Sequence, residues 1–190
     1  MSVSSACYLA GRLLVAMPGI EDPRFRRAVV FMCVHDADHA MGLAVNRPAP
    51  GLTIHDLLEK LGVDPGDAPT RSVVMGGPVE PERGFVLHSD EHGAAVSSVT
   101  IPGGLALTAS REILEGLAGR QPRPRQAIMA IGYAGWGGGQ LEREIRDNLW
   151  LTCEPDETLV FGEAHEDKWA AALAKIGVSA DRLSAQTGRA

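Results

Sequence analysis

Apolar positions fall along this chain in short, dense runs separated by turn residues. GRLLVAM (11–17) is apolar up to a Met17-Pro18-Gly19 turn, AVVFMCVH (28–35) is β-branched and bulky, and MGLAVNRP (41–48) repeats the pattern after a polar DADHA. Three buried strands are predicted, the second and third joined by a hairpin loop. Beyond Thr53 the spacing changes. Ile54, Leu57, Leu58 and Leu61 recur at helical intervals before Gly62, so Thr53 is expected to cap a short amphipathic helix.

Strand character returns at Ser72–Met75, is broken by Gly76-Gly77-Pro78, and resumes in GFVLHS (84–89), with two further strands expected around Pro102. A helix over about 110–118 presents Ile113, Leu114 and Leu117, and AIMAIGY (127–133) reads as a central strand. GWGGGQ then reads as a loop into a helix, LEREIRDNLW, with Leu141, Ile145 and Leu149 inward. TLVFG is expected as a strand and EDKWAAALAKIG as a helix. This order lacks the regular alternation of a doubly wound sheet, and no repeat or composition shift divides the chain, so residues 1–190 are expected to form one α+β domain.

Composition sharpens this picture without changing it. At 190 residues, 45% hydrophobic and 22% charged, the chain can bury one sizeable, mainly aliphatic core. A net charge of −6 repels phosphate backbones and anionic membrane surfaces, which argues against direct nucleic-acid binding. Two basic clusters, Arg24/Arg26/Arg27 and Arg120/Arg123/Arg125, lack interleaved aromatics and read as solvated or ion-paired charges. Three widely spaced cysteines, Cys7, Cys33 and Cys153, have no zinc or disulfide spacing and fit a reducing compartment. With no signal-peptide pattern and no apolar run long enough to span a bilayer, the expected location is the cytoplasm.

GRLLVAMPGIEDPRFRRAVVFMCVHD, AMGLAVNRP, MGGPVEPERGFVLHS, IGYAGWGGGQLEREIRDNLWL and, more weakly, DKWAAALAKIGV with the C-terminal GRA occur in an order and spacing that resemble the YqgE/AlgH family over almost the whole chain. The resemblance implies a complex α+β fold with a bifurcated, partly barrel-like β-sheet surrounded by helices. Members are described as transcriptional regulators, a label that carries over no catalytic residues and no DNA-binding motif. Fold and family do not substitute for a site.

The most distinctive candidate site is GYAGWGGGQLERE (132–144). Glycines between a strand and a helix would offer backbone N–H groups to a phosphate or carboxylate, around Gly135, Trp136, Gly139 and Gln140. The same glycines would also serve close packing around Tyr133 and Trp136, with Gln140 and Glu144 tying down neighbouring loops. Neither a dinucleotide fingerprint nor a phosphate-loop motif is present, so no cofactor is expected.

His35, Asp36, Asp38 and His39 lie at a strand end, where the spacing does not favour a metal, and none is expected. His35 and His88 are candidate ligand-binding histidines, each set against a structural role. His88 and Ser89 face opposite sides of a strand and make no dyad. Cys33 and His35, two apart, are expected on one sheet face, which would make a thiol-based reading possible beside that of an inert buried cysteine. Asp22 and Asn46 read as turn residues that would border a pocket if their loops met the glycine-rich segment, with Arg47 an anion candidate or an ion-pair partner.

Two functions remain open on the sequence. One is a non-enzymatic regulatory or interaction protein acting indirectly, through a surface for an unidentified protein partner or a small anionic ligand. The other is a small-anion or nucleotide-binding domain, or an enzyme, using residues 132–144 with His35, Asn46 or His88.

Overall fold

The computed structural model describes residues 8–93, 97–120 and 122–184. Cys7 and the C-terminal Gly188, Arg189 and Ala190 lie outside them. Among the described residues ten strands occur: β1 (Leu13–Ala16), β2 (Val29–His35), β3 (His39–Ala44), β4 (Pro48–Thr53), β5 (Ser72–Met75), β6 (Val79–Ser89), β7 (Ser98–Ile101), β8 (Leu105–Thr108), β9 (Ala127–Gly137) and β10 (Trp150–Cys153). The helices are α1 (Ile54–Lys60), α2 (Arg111–Leu117), α3 (Gln140–Arg146), α4 (Glu157–Phe161), α5 (Lys168–Lys175) and α6 (Ala180–Ser184).

The strands form one curled, half-barrel sheet in the order β10-β1-β2-β3-β9-β6-β8-β7. It bifurcates at β9. The first half of β9 pairs antiparallel with β6 and parallel with β5, which carries β4, whereas its second half pairs antiparallel with β3. The fold is therefore α+β, with helices packed around a bifurcated sheet.

Three apolar clusters follow from the alternation of side chains across the strands. Leu13 and Val15 of β1 and Val29, Phe31 and Cys33 of β2 point to the inner face, where α4 and α5 supply Leu159, Phe161, Trp169 and Leu173. Leu14, Val30 and Met32 point outward onto Leu141, Trp136 and Trp150. At the other end of the sheet α1 and α2 cover Val86 and Met129.

Two backbone irregularities reverse this alternation and so decide what reaches the outer face. In β2, Cys33 is an extra residue opposite β3, because pairing passes from Met32↔Gly42 to Val34↔Met41. Cys33 and Val34 both pack on the inner cluster, and His35 is displaced outward. In β9, Gly132 adopts φ +69. Ile128 and Ala130 face inward before it, while Tyr133 faces inward and Ala134 and Trp136 outward after it. A Cβ on Gly132 would lie 2.3 Å from the Gly77 carbonyl oxygen, and one on Gly77 would lie 2.1 Å from the Tyr133 carbonyl carbon. Only glycines allow the two chains to cross this closely.

Several local expectations hold. Thr53 caps α1 in a reciprocal box: its hydroxyl accepts the Asp56 N–H at 3.1 Å, and Asp56 accepts the Thr53 N–H at 2.9 Å. Others are corrected. The segment Gly135–Gly137 is strand rather than loop, since its residues pair with His39–Met41. LEREIRDNLW is helical only to Arg146. Asn148 at φ +55 lets the Leu149 N–H close on the Glu144 carbonyl at 2.9 Å, and Trp150 opens a strand against β1. TLVFG is helix α4, because Asp156 accepts the Leu159 N–H at 2.9 Å and caps it.

Candidate functional site

Where β9 runs into α3, the outer face of the sheet carries a cleft of about 480 Å³. Gly135, Trp136 and Gln140 line one wall, Trp150 and Leu149 the floor, Pro78 and Val79 a second wall, and Ile20 to Phe25 the rim. The wall and floor are held by one carboxylate. Glu144 Oε2 accepts the indole N–H groups of both Trp136 and Trp150, each at 2.8 Å, and its Oε1 accepts the Gln140 side-chain amide at 2.9 Å. Gln140 in turn accepts the Gly137 N–H at 3.1 Å. Two buried indoles thereby find partners, as such N–H groups must away from water. Trp150 also meets Phe25 edge to face, with ring centroids 5.8 Å apart.

On the rim, the 3-10 turn Pro23–Phe25 is capped by Asp22, which accepts the Arg24 backbone N–H at 2.9 Å and binds its guanidinium at 2.7 Å. The Arg24 side-chain bonds hold the Asp22 carboxyl below the usual carboxylate range. Among the described lining residues, Glu21, Asp22 and Glu144 are set against Arg24, so the cleft is acidic as well as aromatic. None of them is a serine, threonine, cysteine, lysine or histidine; the ionisable groups among them are the carboxylates of Glu21, Asp22 and Glu144 and the Arg24 guanidinium, and Asp22 and Glu144 are already engaged by Arg24 and by the indole and Gln140 N–H groups.

The candidate residues separate. Gly135, Trp136 and Gln140 line this cleft. Gly135 and Trp136 pair with Met41 and Ala40 of β3, the Gly137 N–H is taken by the Gln140 side chain, and Gly139, at φ +71, is a left-handed entry to a seven-residue helix. Asp22 meets the glycine-rich segment across the cleft. Asn46 does not: its side chain accepts the Val29 N–H at 2.9 Å and donates to the Arg27 carbonyl at 2.8 Å, pinning the turn before β2.

His35 stands behind α3. Its Nδ1 accepts the Leu9 N–H at 3.0 Å, which places the proton on Nε2, directed at Glu142 Oε1 2.9 Å away. The backbone N–H of Glu142 itself, with the His35 bond adding to it, holds this carboxyl below its ordinary range. Glu142 and Glu144 thus diverge around α3, as residues two apart must, yet neither is merely solvated. Cys33 and His35 face opposite sides because of the bulge, which corrects the expectation of a shared face. Burial pushes the Cys33 thiol up to about 12.

His88 lies on β6, pairing with β8 and β9 away from this cleft. Its ring bonds the Ser89 carbonyl at 2.9 Å and Thr108 Oγ1 at 2.8 Å, and Ser98 bonds the same hydroxyl at 2.5 Å. Asp36 binds His39 and the Asp38 and His39 amides in a turn, away from His35. His55, Asp56 and Glu59 place potential ligand atoms within 4.8 Å of one another, but Asp56 is already bound in the α1 cap. Among the described residues, no helix is long and apolar enough to cross a membrane.

Sequence reasoning missed Phe25, which reaches the cleft by packing on Trp150, and Pro78 and Val79, at the start of β6; all three join it only in the tertiary fold. Trp150 is both a buried core residue and part of the cleft lining.

Comparison with known proteins gives a consistent assignment. The AlgH-like (DUF179) family model matches residues 13–181. A UPF0301 protein of Caulobacter vibrioides is 58% identical over 96% of this chain and 94% of its own, and one of Ruegeria pomeroyi is 48% identical over 96% and 99%. The solution structure of the AlgH protein from Pseudomonas aeruginosa is 38% identical, covers 100% of both chains and superimposes with a TM-score of 0.75. A Corynebacterium diphtheriae protein, 18% identical over 87% and 85% of the chains with a TM-score of 0.69, shares the fold. The chain belongs to the AlgH-like family.

Proposed function

We propose that this is a one-domain, non-enzymatic regulatory protein of the cytoplasm that acts indirectly, by receiving a cationic, apolar segment of a protein partner in the aromatic cleft. The observation that carries this reading is the Glu144 arrangement. Its carboxylate accepts three N–H donors and fixes two indoles in place, which is how a binding surface is preorganised rather than how a proton is moved. The excess of carboxylates at the rim selects a positively charged occupant, and aromatic floors supply much of the affinity at such surfaces. The acidic chain favours this indirect mode over contact with DNA. Cys33 and Cys153 are both buried free thiols, in keeping with a reducing compartment.

The test is a binding titration with fluorescently labelled octapeptides that alternate arginine with leucine or tryptophan. Saturable binding that weakens by roughly tenfold in Glu21→Arg, an exposed rim substitution, supports the reading. Equal binding of glutamate-containing counterparts, or indifference to Glu21→Arg, rejects it.

A further inference from the structure

The ridge formed by residues 17–27 separates the aromatic cleft from a second one, of about 520 Å³, lined by Ala16, Met17, Pro18, Ile20, Arg26, Arg27 and Trp169. Its charge is of the opposite sign. We propose that this second cleft binds a small phosphorylated organic molecule, its phosphate between Arg26 and Arg27 and its apolar part over Met17, Pro18 and Ile20.

The first reason is charge without compensation. Arg120 and Arg125 are ion-paired with Asp64 and Glu157, Arg123 donates to the Asp67 carbonyl, and Arg24 is bound by Asp22. Among the described residues, Arg26 and Arg27 have no carboxylate within ion-pair distance. Behind them Arg47 donates to the Arg26 carbonyl, while its Nε is buried without a partner. Asp22 is the carboxylate that acts on Arg47, and it is already engaged by Arg24. Two guanidinium groups thus line the cleft without a carboxylate partner, with Arg47 behind them sharing Asp22 with Arg24, a combination suited to the double charge and fork geometry of a phosphate monoester.

The second reason is backbone strain. Arg27 holds φ +53, a conformation disfavoured for a residue with a Cβ, and Asn46 fixes it there through the Arg27 carbonyl. The effect is to lay the Arg27 guanidinium over the Trp169 ring, 5.0 Å from its centroid, at the edge of the cleft. Trp169 is itself fixed by its indole N–H, which donates to the Ala16 carbonyl at 2.8 Å. A strained residue held by the half-buried Asn46 side chain at the edge of an apolar-floored cleft is better explained by a ligand than by folding alone. The cleft is too large for phosphate by itself, which is why an organic remainder is assigned.

The experiment follows the Trp169 indole resonance in proton–nitrogen correlation spectra while phenyl phosphate, inorganic phosphate, benzoate and sodium chloride are added separately. Phenyl phosphate is expected to move it saturably and to bind at least about tenfold more tightly than inorganic phosphate or benzoate. Arg26→Glu, an exposed change, and Arg27→Gly, which suits the positive φ, should each weaken it about tenfold or more with the rest of the spectrum retained. A shift reproduced by sodium chloride, benzoate binding as tightly as phenyl phosphate, or unchanged affinity in both variants would overturn the proposal. The Trp136 and Trp150 resonances should stay in place, so the outcome is independent of the aromatic cleft.

Discussion

Trp136 and Trp150 meet edge to face, ring centroids 5.9 Å apart and planes at 79°, and direct their indole N–H groups at the same oxygen of Glu144. They are 14 positions apart in sequence and come from different strands, so the pair forms only when β10 docks on β1 and β9 docks on β3. One carboxylate therefore ties the end of the sheet together and shapes the cleft at once.

Replacing that carboxylate should be costly in a graded way. Glu144→Leu leaves two buried indole donors and the Gln140 amide without an acceptor, and urea unfolding should show a loss of about 2–4 kcal/mol. Glu144→Gln keeps one oxygen and should lose about 1–2 kcal/mol. A Glu144→Leu protein as stable as the parent would show that the indoles are satisfied in another way.

Gly132 carries a steric demand that most other left-handed glycines here do not. Gly132→Ala adds a Cβ 2.3 Å from the Gly77 oxygen and should abolish folding or cost more than about 3 kcal/mol. Gly51→Ala is the control. Gly51 has φ +65 with open space around it, so the change should cost only about 1 kcal/mol. Equal losses in thermal or urea unfolding would mean that the crossing of residues 76–77 over β9 is not tight.

Cys33 should behave as an inert thiol. With burial raising its pKa to about 12, alkylation by iodoacetamide at pH 7.5, followed by peptide mass spectrometry, should label Cys33 only under unfolding conditions. Rapid native labelling would restore the redox reading that the bulge in β2 argues against.

Lys168 is buried on α5, donating to the Val45 and Val160 carbonyls at 2.9 and 3.3 Å, and burial lowers its pKa from 10.5 to about 8. Between those values the unfolded chain binds the proton and the folded one does not, so this residue's contribution to stability rises with pH. Below about pH 8 both states are protonated and the contribution is flat. The stability of the parent relative to Lys168→Met should therefore increase by about 1 kcal/mol from pH 7 to pH 9 in paired urea titrations, and Cys33 cancels in the comparison. A constant difference would place the Lys168 ammonium in contact with water.

The buried strands β1, β2 and β3 were legible because dense β-branched and aliphatic runs have no other common use. β4 was hidden by Pro48 and Pro50, and the second half of β9 by Gly135 and Gly137, which signal a break in sequence but here pair with β3. Leu159, Val160 and Phe161 fit either a strand or a helix turn, and the deciding Asp156 cap lies just before the apolar run. At the site, Gly135, Trp136 and Gln140 stood out because their local composition is unusual. The partnership of His35 with Glu142, 107 positions away, has no local signature, and the Cys33 bulge that turns His35 outward leaves none either.

The recognition cleft is tested most directly by the three indole N–H resonances, since the chain has three tryptophans. Adding an arginine- and leucine-rich octapeptide to the nitrogen-15-labelled protein should move Trp136 and Trp150 together, with one binding constant, and leave Trp169 where it is. Movement of Trp169 alone, or of none of the three at saturating peptide, would contradict a binding role for the aromatic cleft.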